Sequence, residues 1–307
     1  METTNSIQEV LVMKVLNYGS LNVDYVYSVD HIIVGGETQQ SFKMETFSGG
    51  KGLNQSIALA KAGVPVYHAG IIGTDGDILL EACEEAGVNT KYIRRLPVKG
   101  GHTIIQVDKN AQNCIILYGG TNQMQTREFV DEVLEDFDEG DYLILQNEIN
   151  LLSYIIDRAY EKKMKIVMNP SPYDSKLTDC DLTKVSVFLV NEIEGEQITG
   201  YKEKDQILEA MAKKFPHAGF VLTLGSEGAV YYDGKEKVFQ DIFKVKAVDT
   251  TAAGDTFTGY FVASLMNGRN IQEALKIAAK ASSIAVSRPG AAPSIPSMEE
   301  VKYGLEE

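Results

Sequence analysis

Residues 249–261 read DTTAAGDTFTGYF, a turn of small residues that runs into an apolar segment. Apolar side chains then recur at helical spacing, at Phe257, Phe261, Val262 and Leu265. The spacing predicts a buried helix that begins near Gly254, after a strand end and turn over residues 249–253. The first N–H groups of a helix have no partner inside it, and small residues let an anion approach them. We therefore expect an anion site here, suited to phosphate.

Asp255 lies in the first turn of this predicted helix. A capping acid is the local alternative, but a cap normally precedes the small residues instead of following them. A carboxylate beside an anion hole can take a proton from an attacking hydroxyl while the N–H groups hold the developing charge. Phosphoryl transfer to an alcohol needs this arrangement, so we favour a functional role for Asp255.

Bulk properties narrow the class of protein. The chain has 307 residues and no repeat or linker, which predicts a single α/β domain over residues 1–307. A net charge of −14 argues against nucleic acid as a partner. Three separated cysteines and four histidines form no redox or zinc pattern. No leader or long apolar run is present, so we expect no membrane partner and a cytoplasmic location.

Strand-like and helix-like segments alternate along most of the chain. Strands are predicted within residues 9–19, 64–73, 141–149, 165–172, 185–191 and 219–234, and helices within residues 49–63, 75–87, 151–163, 191–200, from 254 and from 271. This alternation predicts an α/β fold whose mostly parallel sheet carries helices on both faces.

Two stretches break this rhythm with strand-like runs and no helix. We interpret residues 22–47 and 97–118 as one small β-sheet lid, the second stretch as a hairpin that turns at residues 109–112. Edge strands of the main sheet are the alternative. Because a small exposed sheet leaves edges to pair or cover, we predict a homodimer formed through the lid.

Polar residues follow the apolar strands, where open α/β sheets bind their ligands. They lie at 22 and 24, 49–54, 146 and 148, 169, 191–194, 223 and 225, and 249–255. The chain has no Walker A loop, no G-x-G-x-x-G dinucleotide fingerprint, no protein-kinase motif and no nucleophile elbow. One candidate site with an acid at an anion hole remains.

Two signatures carry a family resemblance. SGGKGLNQSIALAKAG at residues 48–63 and DTTAAGDTFTGYF at 249–261 occur in order with GSLNVD, NPSP, NEIEGEQITG, TLGSEGAVYY and SRPGAAPSIP. Together they resemble the ribokinase-like, or PfkB, family of carbohydrate and nucleoside kinases over essentially the whole chain. Within the family, the resemblance is strongest to the ribose kinases. It implies a ribokinase-like fold with a β lid.

The resemblance implies roles for the sugar side of the site. Asp255 would be the general base, and the anion hole would be formed by the N–H groups of Ala252, Ala253 and Gly254. Sugar hydroxyls would be bound by Asn22, Asp24, Gly50, Lys51, Asn54 and Glu148.

It also implies a nucleotide and cation side. Asn191 and Glu194 would orient the triphosphate of ATP and Mg²⁺, the latter through water. Thr223 and Gly225 would line the nucleotide site. A monovalent-cation loop, which prefers K⁺ in this family, would comprise Asp249, Thr251, Gly290 and Ser294.

Each of these assignments has a plainer alternative. Asn22 and Asn54 could be caps, Asp249 could cap a turn, and Lys51 and Glu194 could be solvated. Gln146 could exchange roles with Glu148, since both lie on the same side of a predicted strand.

Two positions depart from the family pattern. Leu53 stands where a small residue is common and would narrow the space near the sugar. Ala279 stands near a position that often carries Asn at the adenine edge, so a base contact could be missing.

The implied reaction is ATP-dependent phosphorylation of the primary hydroxyl of a pentose, D-ribose first. A sibling kinase for another sugar or a nucleoside stays open, as does a sugar- or nucleotide-binding sensor without catalysis. A dehydrogenase is disfavoured because the glycine fingerprint is missing.

Overall fold

A computed structural model describes residues 13–110 and 112–306. The strands in this part of the chain are β1 (Val15–Tyr18), β2 (Asn22–Ser28), β3 (Lys43–Gly49), β4 (Val66–Ile72), β5 (Asn89–Arg95), β6 (Gly101–Val107), β7 (Asn113–Tyr118), β8 (Tyr142–Gln146), β9 (Lys165–Asn169), β10 (Val187–Asn191), β11 (Gly219–Thr223), β12 (Ala229–Tyr232) and β13 (Lys237–Gln240).

The α-helices in the same residues are α1 (Lys51–Lys61), α2 (Asp77–Ala86), α3 (Arg127–Glu135), α4 (Leu152–Glu161), α5 (Glu192–Thr199), α6 (Lys204–Lys214), α7 (Ala253–Met266), α8 (Ile271–Val286) and α9 (Met298–Glu306). None of these helices has the length and apolar character needed to cross a membrane.

The main sheet has the strand order β13-β12-β11-β10-β9-β8-β1-β4-β5. Its neighbours from β11 to β5 pair in parallel, and only β12 and β13 pair antiparallel at one edge. One apolar layer packs α1, α2, α7 and α8 on one face, and a second layer packs α3, α4 and α6 on the other. The predicted mostly parallel sheet with helices on both faces is confirmed.

The stretches predicted as a lid form their own four-stranded sheet, ordered β3-β2-β6-β7. The alternative, edge strands of the main sheet, is therefore wrong. The backbone N–H of Asp108 donates to the carbonyl of Gln112 at 3.0 Å and closes the predicted hairpin turn, of which residue 111 lies outside the described residues. β3 continues to Gly49, so the second sheet leads directly into α1.

Two boundaries differ from the sequence prediction. Residues 249–253 are not a strand end, because the chain leaves the edge of the sheet at Gln240 and crosses residues 241–252 without a strand partner. The first strand begins at Val15, and residues 9–12 of that prediction lie outside the described residues.

The contact between α1 and α7 sets the position of the candidate site. A Cβ at Gly259 of α7 would lie 2.4 Å from the Cβ of Ala58 and 2.9 Å from the backbone nitrogen of Leu59. Both values are below normal contact distances, so the two helices can approach this closely only because residue 259 has no side chain. The approach brings the first turn of α1 beside the first turn of α7.

We predict that Gly259→Ala destabilises the fold by about 1–3 kcal/mol, the usual cost of overpacking a core, measured by chemical denaturation. Gly304→Ala in α9 is the matched control. Its Cβ would meet only the flexible end of Lys280, so the gain in helix propensity should leave stability equal or higher. Equal stability of Gly259→Ala and the natural protein would contradict the close-contact argument.

Candidate active site

Asp255 lies in the first turn of α7 and is 5% exposed. Its Oδ2 accepts a hydrogen bond from Asn54 Nδ2 at 3.0 Å, and its Oδ1 accepts one from Gln55 Nε2 at 2.9 Å. Both donors belong to α1, so the carboxylate bonds across the helix contact. Burial raises the pKa of Asp255, while the charge of Lys51 and the two amide donors act against that rise.

The small residues that precede Asp255 differ in exposure, since Ala252 is buried and Gly254 is exposed. Ala252 is the N-cap residue of α7, and no side chain caps this helix end. Nothing lies within 4 Å of a Cβ built on Gly254, which is exposed. The N–H of Ala253 is already engaged, since it donates to the carbonyl of Thr250 at 3.2 Å. The helix end is thus open to an approaching anion at Gly254, whereas Ala252 is buried and the N–H of Ala253 would have to exchange partners.

A cavity opens in front of this helix end. Its lining includes Lys51, Gly254 and Asp255 together with polar groups from the ends of three main-sheet strands, namely Asn169, Asn191 and Thr223. The expected convergence of strand ends on one site is therefore seen for these residues.

Lys51 is the cation of this cavity. Burial disfavours its charged form, but Asp255, Glu148 and Glu194 together raise the pKa of the ammonium. It therefore stays charged near neutral pH inside a site with three carboxylates. The alternative of a solvated loop lysine is wrong, because Lys51 is the first residue of α1 and lines the cavity.

Glu148 and Gln146 do different things. Glu148 accepts a hydrogen bond from the hydroxyl of Ser20 and another from the backbone N–H of Lys51, the latter at 3.0 Å. Burial raises the pKa of Glu148, and the charge of Lys51 opposes the rise. Gln146 instead points into the protein interior, so the two residues do not exchange positions.

A buried chain of hydrogen bonds runs behind Asp255. Gln146 Nε2 donates to Gln55 Oε1 at 2.7 Å and to Asn17 Oδ1 at 3.0 Å, and Asn17 Nδ2 donates to Ser56 Oγ at 2.9 Å. Ser56 Oγ lies 2.8 Å from His68 Nδ1. Burial lowers the pKa of His68 to about 4, so this end of the chain is neutral at physiological pH.

The second sheet supplies Asn22 and Asp24 from β2. Asp24 Oδ1 accepts a hydrogen bond from Thr103 Oγ1 at 2.5 Å, and burial raises the pKa of its carboxyl. A Cβ at Gly49 would lie 1.9 Å from Asp24 Oδ2. The carboxylate of Asp24 can therefore take this position only because residue 49 has no side chain. Gly50 has a φ of 97° between β3 and α1, a conformation that favours glycine.

The capping alternatives for the asparagines are wrong. Asn22 belongs to β2, and Asn54 lies inside α1, where its amide donates a hydrogen bond to the carboxylate of Asp255.

Asn191 and Glu194 have a structural role that the sequence analysis overlooked. Asn191 Oδ1 accepts from the N–H of Glu194 at 2.9 Å, and Glu194 Oε2 accepts from the N–H of Asn191 at 3.0 Å. This reciprocal pair is a capping box at the start of α5, for which the N-x-x-E spacing was a visible signal. Glu194 is buried and lines the cavity, so it is not a solvated acid.

Thr223 ends β11 and lines the cavity, and its hydroxyl donates to the carbonyl of Val190 at 3.3 Å. Gly225 follows it in an exposed turn with a φ of 52°.

Asp249 ties two loops together. Its Oδ1 accepts from the N–H of Thr251 at 2.9 Å and from the hydroxyl of that residue, and its Oδ2 accepts from the N–H of Gly290 at 3.0 Å. The turn-capping alternative for Asp249 is thus part of its observed role. Ser294 is buried and donates from Oγ to the carbonyl of Ala291 at 2.7 Å.

The two departures from the family pattern lie outside the cavity lining. Leu53 is fully buried in the apolar layer around α1 and α7, so the expectation that it narrows the sugar space is wrong. Ala279 is half-buried on α8 and packs against the same layer.

The doubly covered parallel sheet, the small second sheet and the carboxylate at an open helix end define a phosphotransferase with an alcohol group as acceptor. The chain belongs to the pfkB family of carbohydrate kinases, whose family model matches residues 13–298. This confirms the resemblance drawn from the two signatures.

Individual relatives agree with the family. A ribokinase of Staphylococcus aureus (strain COL) is 34% identical over 299 residues, which cover 94% of this chain and 98% of the relative. The structure of Arabidopsis thaliana ribokinase complexed with ribose and ATP has a TM-score of 0.86 at 28% identity, covering 96% of this chain and 99% of that one. Ribokinase from Cryptococcus neoformans var. grubii serotype A, in complex with ADP, has a TM-score of 0.82 at 32% identity, with coverage of 95% and 99%.

We predict that Gln55→Leu moves the titration of Asp255 to higher pH. The substitution removes a donor that favours the charged carboxylate, so the protonated form persists to a higher pH. The titration can be followed by NMR of protein with ¹³C-labelled aspartate, the signal being assigned by its loss in Asp255→Asn.

Ser56→Ala is the matched control, because Ser56 is also buried in α1 and bonds neither Asp255 nor Gln55 in the described residues. An Asp255 titration that is the same in Gln55→Leu and the natural protein would refute the role of this hydrogen bond.

Proposed function

We propose that this chain is an ATP-dependent kinase that transfers the γ-phosphoryl group to the primary hydroxyl of a pentose, D-ribose. The observation that carries the proposal is the buried carboxylate of Asp255 beside Lys51 and the open N-terminus of α7. Membership of a carbohydrate kinase family and the ribokinase relatives support the sugar as acceptor.

Asp255 is the general base in this proposal. The hydroxyl oxygen attacks the γ-phosphorus, the bond from that phosphorus to the β,γ-bridging oxygen breaks, and ADP leaves while Asp255 takes the hydroxyl proton. Its pKa, raised by burial, makes the carboxylate a better base than an exposed one. The N–H groups of Ala252 and Gly254 stabilise the negative charge of the transferred group, joined by that of Ala253 once it releases the carbonyl of Thr250.

The sugar is held between the second sheet and the start of α1. Asn22 and Asp24 face the sugar from β2. Glu148 and Lys51, which bond each other through the N–H of Lys51, lie on another side of it. Asn54 and Gly50 complete the pocket. The raised pKa values of Asp24 and Glu148 reflect carboxylates removed from water, which suits hydrogen bonding to neutral hydroxyl groups. Bound hydroxyls would replace the lost solvent.

ATP occupies the cavity in front of α7, lined by Asn191, Glu194 and Thr223 with Gly225 beyond. Glu194 keeps one carboxylate oxygen outside its capping bond, which fits a contact with a water of hydrated Mg²⁺. Among the described residues, no three His, Cys, Asp or Glu side chains form a metal-binding group. A Mg²⁺ ion bound with the nucleotide would neutralise phosphate charge, and Glu194 is the residue that would contact its water shell.

The loops that contain Asp249, Thr251, Gly290 and Ser294 are our candidate for a monovalent-cation site, with K⁺ as the preferred ion. The polar side-chain atoms of Asp249, Thr251 and Ser294 are all oxygens, which suit a K⁺ ion, and Asp249 already bridges the two loops. A K⁺ ion there would stabilise the segment that leads into α7.

The decisive experiment measures ADP release with ATP, Mg²⁺ and K⁺ over a panel of pentoses, hexoses and nucleosides. We expect turnover with D-ribose and a loss of about 10²–10⁴ in kcat for Asp255→Asn, which retains shape but cannot accept the proton. Asp157→Asn, a change at a partly exposed carboxylate on α4, is the control and should keep full activity.

Each alternative gives a distinct result. Turnover with a nucleoside or another sugar alone would keep the reaction and replace the acceptor. Sugar or nucleotide binding without turnover would favour a sensor over a kinase. Full activity of Asp255→Asn would remove Asp255 from the role of base.

We further propose one domain over residues 1–307, with residues 22–47 and 97–118 as a lid, in the cytoplasm. The net charge of −14 supports a protein that binds neither nucleic acid nor an anionic membrane surface.

A homodimer through the lid is supported by the apolar surface of the second sheet. Every residue of β7 is exposed, including Ile115, Ile116, Leu117 and Tyr118. Exposed apolar side chains also lie at Ile104 on β6 and Met44 on β3. Such a patch is typical of a protein interface, and its self-pairing would cover the sheet edge at β7.

We predict that the double variant Ile115→Asp, Leu117→Asp is a monomer, because two charges on one face of β7 cannot be buried against a second copy. Sedimentation velocity at micromolar concentration measures the change. Tyr160→Ser removes an exposed aromatic ring on α4 and should stay dimeric. A natural protein that sediments as a monomer would overturn the proposal.

A further inference from the structure

Asn122 lies in a short 3₁₀ helix, Gly120–Gln123, just after the last strand of the second sheet, and is 1% exposed. Its Oδ1 accepts a hydrogen bond from the backbone N–H of Leu21 at 3.0 Å, and its Nδ2 donates to the carbonyl of Leu21 at 3.3 Å. The backbone N–H and carbonyl of Leu21 thus fix which end of the Asn122 amide is oxygen and which is nitrogen.

The orientation of Asn122 determines that of Asn22. Asn122 Nδ2 also donates to Asn22 Oδ1 at 2.7 Å. Because a nitrogen that donates must face an oxygen, Asn22 can only turn its Oδ1 toward Asn122. Its Nδ2 faces the other way, and no hydrogen bond within residues 13–110 and 112–306 uses that nitrogen.

The neighbouring strand is shaped around this pair of amides. A Cβ at Gly101 would lie 2.2 Å from Asn122 Nδ2 and 2.5 Å from Asn22 Oδ1. Any side chain at position 101 would therefore separate the two amides. The need for glycine at position 101 is a steric observation, separate from the hydrogen bonds, and it supports the same contact between Asn22 and Asn122.

We infer that Asn122 is a positioning residue that makes Asn22 present an N–H donor, and not an oxygen, to the substrate. The inference rests on the proposed sugar site. Asp24, two residues along the same strand, presents a carboxylate on the same face. The pair then suits a polyol in which one hydroxyl oxygen accepts from Asn22 and another hydroxyl donates to Asp24.

The test replaces donor by acceptor with Asn122→Asp. The introduced carboxylate can still accept from Leu21, but it repels Asn22 Oδ1, so Asn22 must rotate and turn its oxygen to the sugar. We expect the calorimetric Kd for D-ribose and the KM for ribose to rise about 10-fold or more, with kcat changed less than about two-fold. A general loosening of the fold would lower kcat as well.

A double-mutant cycle separates this effect from the added charge. In the Asn22→Ala background there is no amide to turn, so Asn122→Asp should change the ribose Kd only slightly. Thr121→Val is the matched control. Thr121 is buried in the same short helix, and its hydroxyl bonds only the carbonyl of Ile71 among the described residues, so loss of that hydroxyl should lower Tm and leave the ribose Kd unchanged.

If Asn122→Asp does not fold, Asn122→Ala gives the same coupling test by freeing Asn22 instead of turning it. An unchanged ribose Kd in a folded variant, or an equal change with and without Asn22, overturns the inference while the kinase proposal stands. Absence of sugar binding by the natural protein would instead overturn the proposed function, and the inference with it.

Discussion

The contact between the first turns of α1 and α7 is the constraint on which the rest of this site depends. Two amides of α1, Asn54 and Gln55, each hold one oxygen of Asp255 at the start of α7. They can do so because Gly259 lets the helices approach. Since α1 begins with Lys51 and follows directly from the second sheet, the same contact also sets where Lys51 and the second sheet lie relative to the carboxylate of Asp255.

Directional hydrogen bonds do much of the positioning in the interior. The amide of Gln55 is oriented by Gln146, which is itself bonded to Asn17, and the amide of Asn22 is oriented by Asn122. All of these side chains are buried, where an amide group without a hydrogen-bond partner costs free energy. Their hydrogen bonds therefore hold the amides of Gln55 and Asn22 in one orientation. The charges are arranged differently, since the half-buried ammonium of Lys51 lies among the carboxylates of Asp255, Glu148 and Glu194.

Much of this was visible in the sequence, and the remainder depended on packing. The helix at Ala253, the mostly parallel sheet and the separate second sheet follow from periodicity and turn residues. The capping box of Asn191 and Glu194 was readable from spacing but was overlooked. Gln55 and Asn122 could not be recognised, because nothing in a single sequence tells which way a buried amide points. The stretch 249–253 failed as a strand end because strand formation needs a neighbour, and the chain had already left the sheet.

The bond between Asn54 and Asp255 spans 201 residues of sequence, and this separation bears on how the protein reaches activity. Contacts so far apart close large loops and form at a high entropic cost. The first half of the chain carries Lys51 and the groups proposed to bind the sugar, while Asp255 and its helix end come from the last fifth. Until the native topology is complete, no segment of the chain combines the proposed sugar-binding groups with the proposed base. We therefore expect no turnover of ATP by an incompletely folded or nascent chain.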